Sequence, residues 1–257
     1  MAETSLFERI PGEVRIMIYE LILNDNHNKV IQIRNESHEK FITVDGMSRS
    51  VYNVAERTLY RPCKRTTYCT TSDIDMRTSI MRVNRKIYKE TVHMLYSTHS
   101  FSFDRDIEAV VPFFTDLRME TRLLVKEVSL VKDGRIWMMD SDRCQWMEAC
   151  KFLGSSLQLG RLKLVVEGCQ PLGGFSDHES LTVGDFKCLS KIQYEPLDWV
   201  WQLFEIKGLW NLEVIPRVRQ VHVARPYSTA MSFFIAFSAS IKIGFTEFLM
   251  GELVGTV

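Results

Sequence analysis

Three short segments share one texture: Val125-Lys126-Glu127-Val128-Ser129-Leu130-Val131, Arg161-Leu162-Lys163-Leu164-Val165-Val166-Glu167-Gly168 and Val218-Arg219-Gln220-Val221-His222-Val223-Ala224. Each is a run of branched aliphatic residues broken by single polar ones, which predicts strands at Lys126–Val131, Arg161–Glu167 and Val218–Val223. Helical patterns lie around and between them, near Ile107–Phe114, at Asp142–Leu153 and at Leu197–Lys207. Helices alternating with apolar strands predict an α/β (or α+β) protein whose parallel or mixed sheet is flanked by helices. The strand spacing is too uneven for a solenoid repeat.

Upstream, Pro11 suits a first helical position and Glu13 suits the positive end of a helix dipole. Val14, Met17, Ile18 and Leu21 follow at the i, i+3, i+4, i+7 spacing of one buried face. Asn24, Asp25 and Asn26 end the pattern, and strands are expected at Lys29–Arg34 and Lys40–Val44. The stretch from Arg49 to Met76 reads as irregular. A long helix is expected over Thr78–Ser97, with Ile80, Val83, Ile87, Thr91, Met94 and Leu95 on one face, and a short strand at Ser100–Phe103. The chain closes with a helix from Ser228 to about Met250. These elements divide the chain into residues 1–103, with an insertion at 24–78, and an α/β region at 104–257, packed as one globular unit.

Composition narrows the function classes. The 257 residues carry 32 basic and 32 acidic side chains, so no global field draws the chain to nucleic acid or to an anionic membrane. None of the six cysteines forms a C-x-x-C pair, and no zinc-type spacing to histidine occurs. Reduced thiols in a cytoplasmic or nuclear protein are the simplest reading. The apolar stretch Ala230–Met250 is interrupted by Lys242 and Glu247 and reads as a buried or amphipathic helix rather than a membrane span.

Two blocks carry a family resemblance. Leu6-Phe7-Glu8-Arg9-Ile10-Pro11-Gly12-Glu13-Val14-Arg15-Ile16-Met17-Ile18-Tyr19-Glu20-Leu21 resembles the opening of the F-box-like domain abundant in filamentous fungi, roughly L-x-x-L-P-x-E-I-R-x-x-I-Y-x-x-L. Ile80-Met81-Arg82-Val83-Asn84-Arg85-Lys86-Ile87-Tyr88-Lys89-Glu90-Thr91 is similar to that family's L-L-x-V-C-R-Q-I-Y-x-E-A, with Asn84 in place of Cys, and Leu95-Tyr96 to Phe101 continues the match. More than fifty residues separate the blocks, where a typical F-box is a compact run of helices. The resemblance implies a substrate receptor that grips a Skp-type adaptor of a cullin ubiquitin ligase. Leu6, Ile10, Pro11, Val14, Ile18 and Leu21 are the candidate partner-binding residues. Read physically, such a stripe either docks into a groove on another protein or packs into the chain's own core. The alternatives are a scaffold of the same family unconnected with ubiquitin, and an enzyme whose site has no linear motif.

Signals for chemistry are weaker. No G-x-S-x-G, H-E-x-x-H or P-loop pattern occurs, so no catalytic residue, cofactor or metal is expected. Asp73-x-Asp75 and Asp140-x-Asp142 read as helix-start carboxylates rather than metal ligands, and Asp142 with Gln145 as a cap. The mixture of Arg, Lys and Tyr over Arg57–Tyr68 reads as a solvated loop rather than a nucleic-acid groove. Trp199, Trp201, Phe204 and Trp210 read as core.

Overall fold

A computed structural model describes residues 6–23, 30–36, 51–54, 64–70, 78–134, 140–174, 180–222 and 228–254. It begins with a 3-10 turn, Leu6–Arg9, and helix α1, Gly12–Leu23. Strands β1 (Val30–Glu36), β2 (Val51–Val54) and β3 (Lys64–Thr70) follow. Then come α2 (Arg85–Thr98), β4 (Ser100–Ser102), α3 (Val110–Asp116), α4 (Met119–Arg122), β5 (Glu127–Asp133) and α5 (Asp140–Ser156). The remainder holds β6 (Arg161–Pro171), α6 (Val183–Lys191), α7 (Asp198–Leu203), β7 (Asn211–Val221), α8 (Thr229–Ser240) and α9 (Thr246–Leu253).

The expected α/β class holds, with a mixed sheet ordered β2-β3-β1-β4-β5-β6-β7. The first two pairings are antiparallel. From β1 to β7 all pairings are parallel. Those five strands advance one place at a time in the same direction. Because crossovers between parallel strands are right-handed, such an order sends the connecting helices to one face. The side chains agree. Phe101, Val128, Leu162 and Leu212 stand in register across β4 to β7, all buried. Tyr96 of α2 stacks on Phe101 at 5.5 Å, and Phe113 and Phe114 of α3 pack against Phe101 and Phe103. Trp146 of α5 donates its indole N–H to the carbonyl of Trp199 in α7 at 2.8 Å. α8 rests on β6 at Gly168, where a Cβ would lie 2.7 Å from Ser238 Oγ. The opposite face carries the row Ser102, Ser129, Lys163 and Glu213, with Lys163 and Glu213 paired at 3.6 Å.

Several expectations are corrected. Helix α1 starts at Gly12, and the carbonyl of Pro11 accepts from the N–H of Arg15 at 3.1 Å, so Pro11 precedes the first helical position. The stretch 49–76 is not wholly irregular, since β2 and β3 lie in it; Thr and Tyr in KRTTYCT carry strand propensity without an apolar run. The single helix over Thr78–Ser97 is instead a 3-10 turn, Thr78–Arg82, followed by α2. Asn84 divides them, its side chain accepting from the N–H of Ile87 at 2.9 Å as an N-cap. Val83, assigned to the buried face, is 62% exposed because it sits in that break.

The last strand begins at Asn211, seven residues earlier than expected. Pro216 masks it in the sequence, yet β7 is the edge of the sheet, where a missing N–H leaves no neighbour unpaired. Helix α6 falls where no element is expected, although Thr182 and Asp185 form its capping box, while α7 is shorter than the helix expected over Leu197–Lys207. Helix α5 begins at Asp140, which puts Asp142 inside its first turn rather than at the cap. The closing helical run, Thr229–Leu253, includes one π-helical segment, Ile241–Phe245. It is long and apolar enough to cross a membrane by length and composition, but 56% of its most apolar window is buried within the protein. The strand expected at Lys40–Val44, the carboxylates Asp73 and Asp75, and most of Arg57–Tyr68 lie outside the described residues.

Most of the core is one cluster running from Ile31 to Leu253 beneath the sheet. Trp199 is buried in it and Trp201 and Phe204 pack on it, whereas Trp210 is 55% exposed with the Arg161 guanidinium 4.5 Å above its ring. A second, smaller cluster of Tyr19, Leu23 and Ile87 joins α1 to α2.

Candidate functional site

Helix α1 is held by its polar residues. Arg15, 7% exposed, donates to both oxygens of Glu90 on α2, at 3.2 Å from Nε and 2.8 Å from one terminal nitrogen. Its other terminal nitrogen donates to the carbonyl of Ile10 at 2.6 Å, tying down the entry to the helix. The fully buried Tyr19, one turn on, donates its hydroxyl to Glu90 at 2.8 Å. A fork-to-fork guanidinium–carboxylate pair with a phenol on the same carboxylate fixes both distance and rotation between two helices. The charges respond accordingly. Hydrogen bonding to Arg15 holds the Glu90 carboxyl below its ordinary range, outweighing the opposing effect of burial. Burial first, and the bond to Glu90 second, push the Tyr19 phenol up to about 12.

This clamp decides which way the apolar residues of α1 point. Arg15, Tyr19 and Leu23 occupy the buried face at i, i+4, i+8. The stripe read from the sequence as buried is therefore turned outward: Val14 is 43% exposed, Met17 62% and Leu21 81%, with Ile18 partly covered. The physical reason is that a buried Arg and Tyr count as polar in a periodicity reading, yet here they are satisfied by Glu90 and form the core-facing side. Of the other candidates, Pro11 is exposed and Ile10 partly covered, while Leu6 lies in the 3-10 turn with its side chain outside the described set. Thus Val14 and Leu21 lie on the open side of α1, Ile18 borders it, and Pro11 is exposed just ahead of the helix. Sequence reasoning missed Met17 as a member of this exposed set, and missed Ile16, 46% exposed on the flank. It also missed the Arg15–Glu90–Tyr19 clamp, although all three residues fall on pattern positions of the two quoted blocks.

On a different flank of α1 from the stripe, α1 and α2 border an open groove of about 480 Å³ that none of Val14, Met17, Ile18 or Leu21 lines. Gly12, Ile16 and Glu20 form one wall, and Glu90, His93, Met94 and Ser97 the other. An exposed apolar stripe is what a helix lays into a partner's groove, and contiguous exposed apolar residues mark interaction sites. Among the described residues no group of three or more His, Cys, Asp or Glu side chains gathers to hold a metal. Cys150 is buried, which pushes its thiol up to about 12 and leaves it a poor nucleophile.

A family model described as a domain of unknown function (DUF7730) matches residues 1–167, from the segment before α1 to the middle of β6. No curated protein matches the chain. No solved structure matches it.

Proposed function

We propose that this chain, which belongs to the DUF7730 family, is a protein-interaction module that recruits a Skp-type adaptor through the outward face of α1, in the manner of an F-box-like substrate receptor. The observation that carries the reading is the exposure of Val14, Met17 and Leu21 on a helix whose core contacts are made by other residues. These apolar side chains are not needed to close the fold, and they sit at the i, i+3, i+7 spacing that a helix presents to a partner groove. The resemblance of Leu6–Leu21 and Ile80–Thr91 to the two halves of an F-box-like domain supplies the kind of partner. The structure adds a physical link between those halves, because the Arg15–Glu90 pair joins one block to the other across the intervening insertion. The sheet and the helices behind it then form the body that would carry a target.

The test is direct binding of the full-length purified chain to a purified Skp-type adaptor, followed by calorimetry. The variant Val14→Asp with Leu21→Asp places charges where anchors are expected, and it should weaken binding by at least about tenfold, since burying even one such side chain is worth about 1.5–3 kcal/mol. Its circular dichroism and urea midpoint should match the parent. An adaptor that ignores the parent chain, or binds parent and variant equally, overturns the proposal.

A further inference from the structure

A second constellation lies far along the chain from α1, at the carboxyl edge of the parallel sheet. There β4 and β5 stop, at Ser102 and Asp133, while β6 and β7 run on to Pro171 and Val221. On this step sits Glu167, 7% exposed, and three guanidinium groups surround it. Arg105, just past the end of β4, donates one terminal nitrogen to both carboxylate oxygens at 2.6 and 2.7 Å. Arg217, in register with Glu167 on β7, donates at 3.2 Å. Arg219, two residues on, holds a terminal nitrogen 3.8 Å away.

One arginine is enough to neutralise a buried carboxylate, and Arg105 reaches both oxygens. Arg217 and Arg219 therefore bring positive charge beyond what Glu167 requires, at a cost in mutual repulsion. Asp104, 3.7 Å off Arg217, and Asp133, acting on Arg105, bring the carboxylates to three against three guanidiniums, so what the cluster offers an anion is unused donors rather than net charge. The three arginine side chains remain about half exposed or more, at 53%, 47% and 66%. Each guanidinium has five donors, far more than one carboxylate can accept, and the surplus faces solvent from a preassembled cluster. Next to it Asp104 holds φ at 45°, a left-handed conformation costly for a residue with a Cβ, directly before Arg105.

We propose that Arg105, Arg217 and Arg219 form an oxyanion-binding site for a phosphate monoester, with Glu167 as the residue that gathers and orients them. The site is independent of the adaptor face. A tetrahedral dianion would take the outward donors of Arg219 and Arg217 in forked hydrogen bonds, while Glu167 keeps the guanidinium planes fixed from beneath. Glu167 touches the ligand only through its arginines and is a positioning residue.

The experiment follows the arginine Nε–Hε signals of the full chain by NMR during titration with inorganic phosphate, with phosphoserine in a short peptide, and with the unphosphorylated peptide, at constant ionic strength set by chloride. Phosphate is expected to shift the signals of these three arginines saturably, and chloride and the unphosphorylated peptide are not. A phosphopeptide that binds more tightly than phosphate assigns the group to a polypeptide partner; equal affinity assigns it to a small anion. Arg219→Ala leaves Glu167 paired with Arg105 and Arg217, so the fold should stand while affinity falls about tenfold. Arg219→Lys keeps the charge but loses the fork, and should recover only part of that loss. Absence of a saturable shift up to about 10 mM phosphate, or an unchanged affinity in Arg219→Ala, overturns the proposal.

Discussion

Truncating two leucines two residues apart on α1 should give opposite results. Leu21 is 81% exposed and Leu23 is fully buried against Tyr19 and Ile87. Full burial of a leucine side chain is worth about 1.5–3 kcal/mol, and only about a fifth of Leu21 is covered, so Leu21→Ala should cost about 0.3–0.6 kcal/mol. Alanine is the better helix former, which trims even that. Leu23→Ala removes a side chain from the small cluster that fastens α1 to α2, where loss of contacts and the resulting cavity together cost about 2–5 kcal/mol. Urea unfolding followed by circular dichroism measures the global effect. Hydrogen exchange of the α1 amides reports whether the helix opens locally before the sheet does. A periodicity reading of the sequence predicts the reverse order, because it places Leu21 inside. A cost above about 1.5 kcal/mol for Leu21→Ala, or a Leu23→Ala cost no larger than that of Leu21→Ala, would refute the orientation assigned to α1 and with it the ground for a docking face there.

The clamp between α1 and α2 should show in the pH dependence. Tyr19 titrates near 12 in the folded chain against an ordinary 10, so its stabilising contribution is complete below pH 10 and disappears as pH rises through about 12, a loss of about 2–3 kcal/mol. Tyr19→Phe should remove that part of the alkaline destabilisation; Tyr96, also raised to about 12 by burial, keeps its own share. Glu90 acts at the other end, its contribution present above the ordinary carboxyl range and lost as pH falls through its lowered value. Urea midpoints from pH 3 to 12 for parent and variant would check both limbs, and identical alkaline limbs would contradict the Tyr19 assignment. Gly168→Ala tests the seating of α8 on β6. Its Cβ would meet Ser238, whose hydroxyl cannot simply turn away because it donates to the carbonyl of Phe234 at 2.7 Å and accepts from the N–H of Cys169 at 3.0 Å. Overpacking there should cost about 1–3 kcal/mol, seen as a thermal midpoint several degrees lower. An unchanged midpoint would show that α8 is not seated there as described.

Local signals carried the α/β class and the central elements. Strands β5 and β6 are long aliphatic runs because a parallel strand beneath a helix layer is apolar over most of its length, and that pattern survives in one dimension. The caps at Thr182 and Asn84 are equally local, since each side chain bonds its own neighbouring backbone. Other features depend on partners far away in the chain. Arg15 and Tyr19 face inward only because Glu90, seventy-one or more residues on, supplies their hydrogen bonds. Without that partner they look polar, and the four apolar residues beside them look like the core. Pro216 is tolerated only because β7 is an edge, which is a property of strand order. Glu167, Arg105 and Arg217 come together because β6 and β7 lie in register beyond the end of β4 and level with the last residue of β5. Residue type and spacing settle what a segment can become; which of its faces is left for another molecule is settled by long-range pairing, because burial is decided by partners that no local window contains.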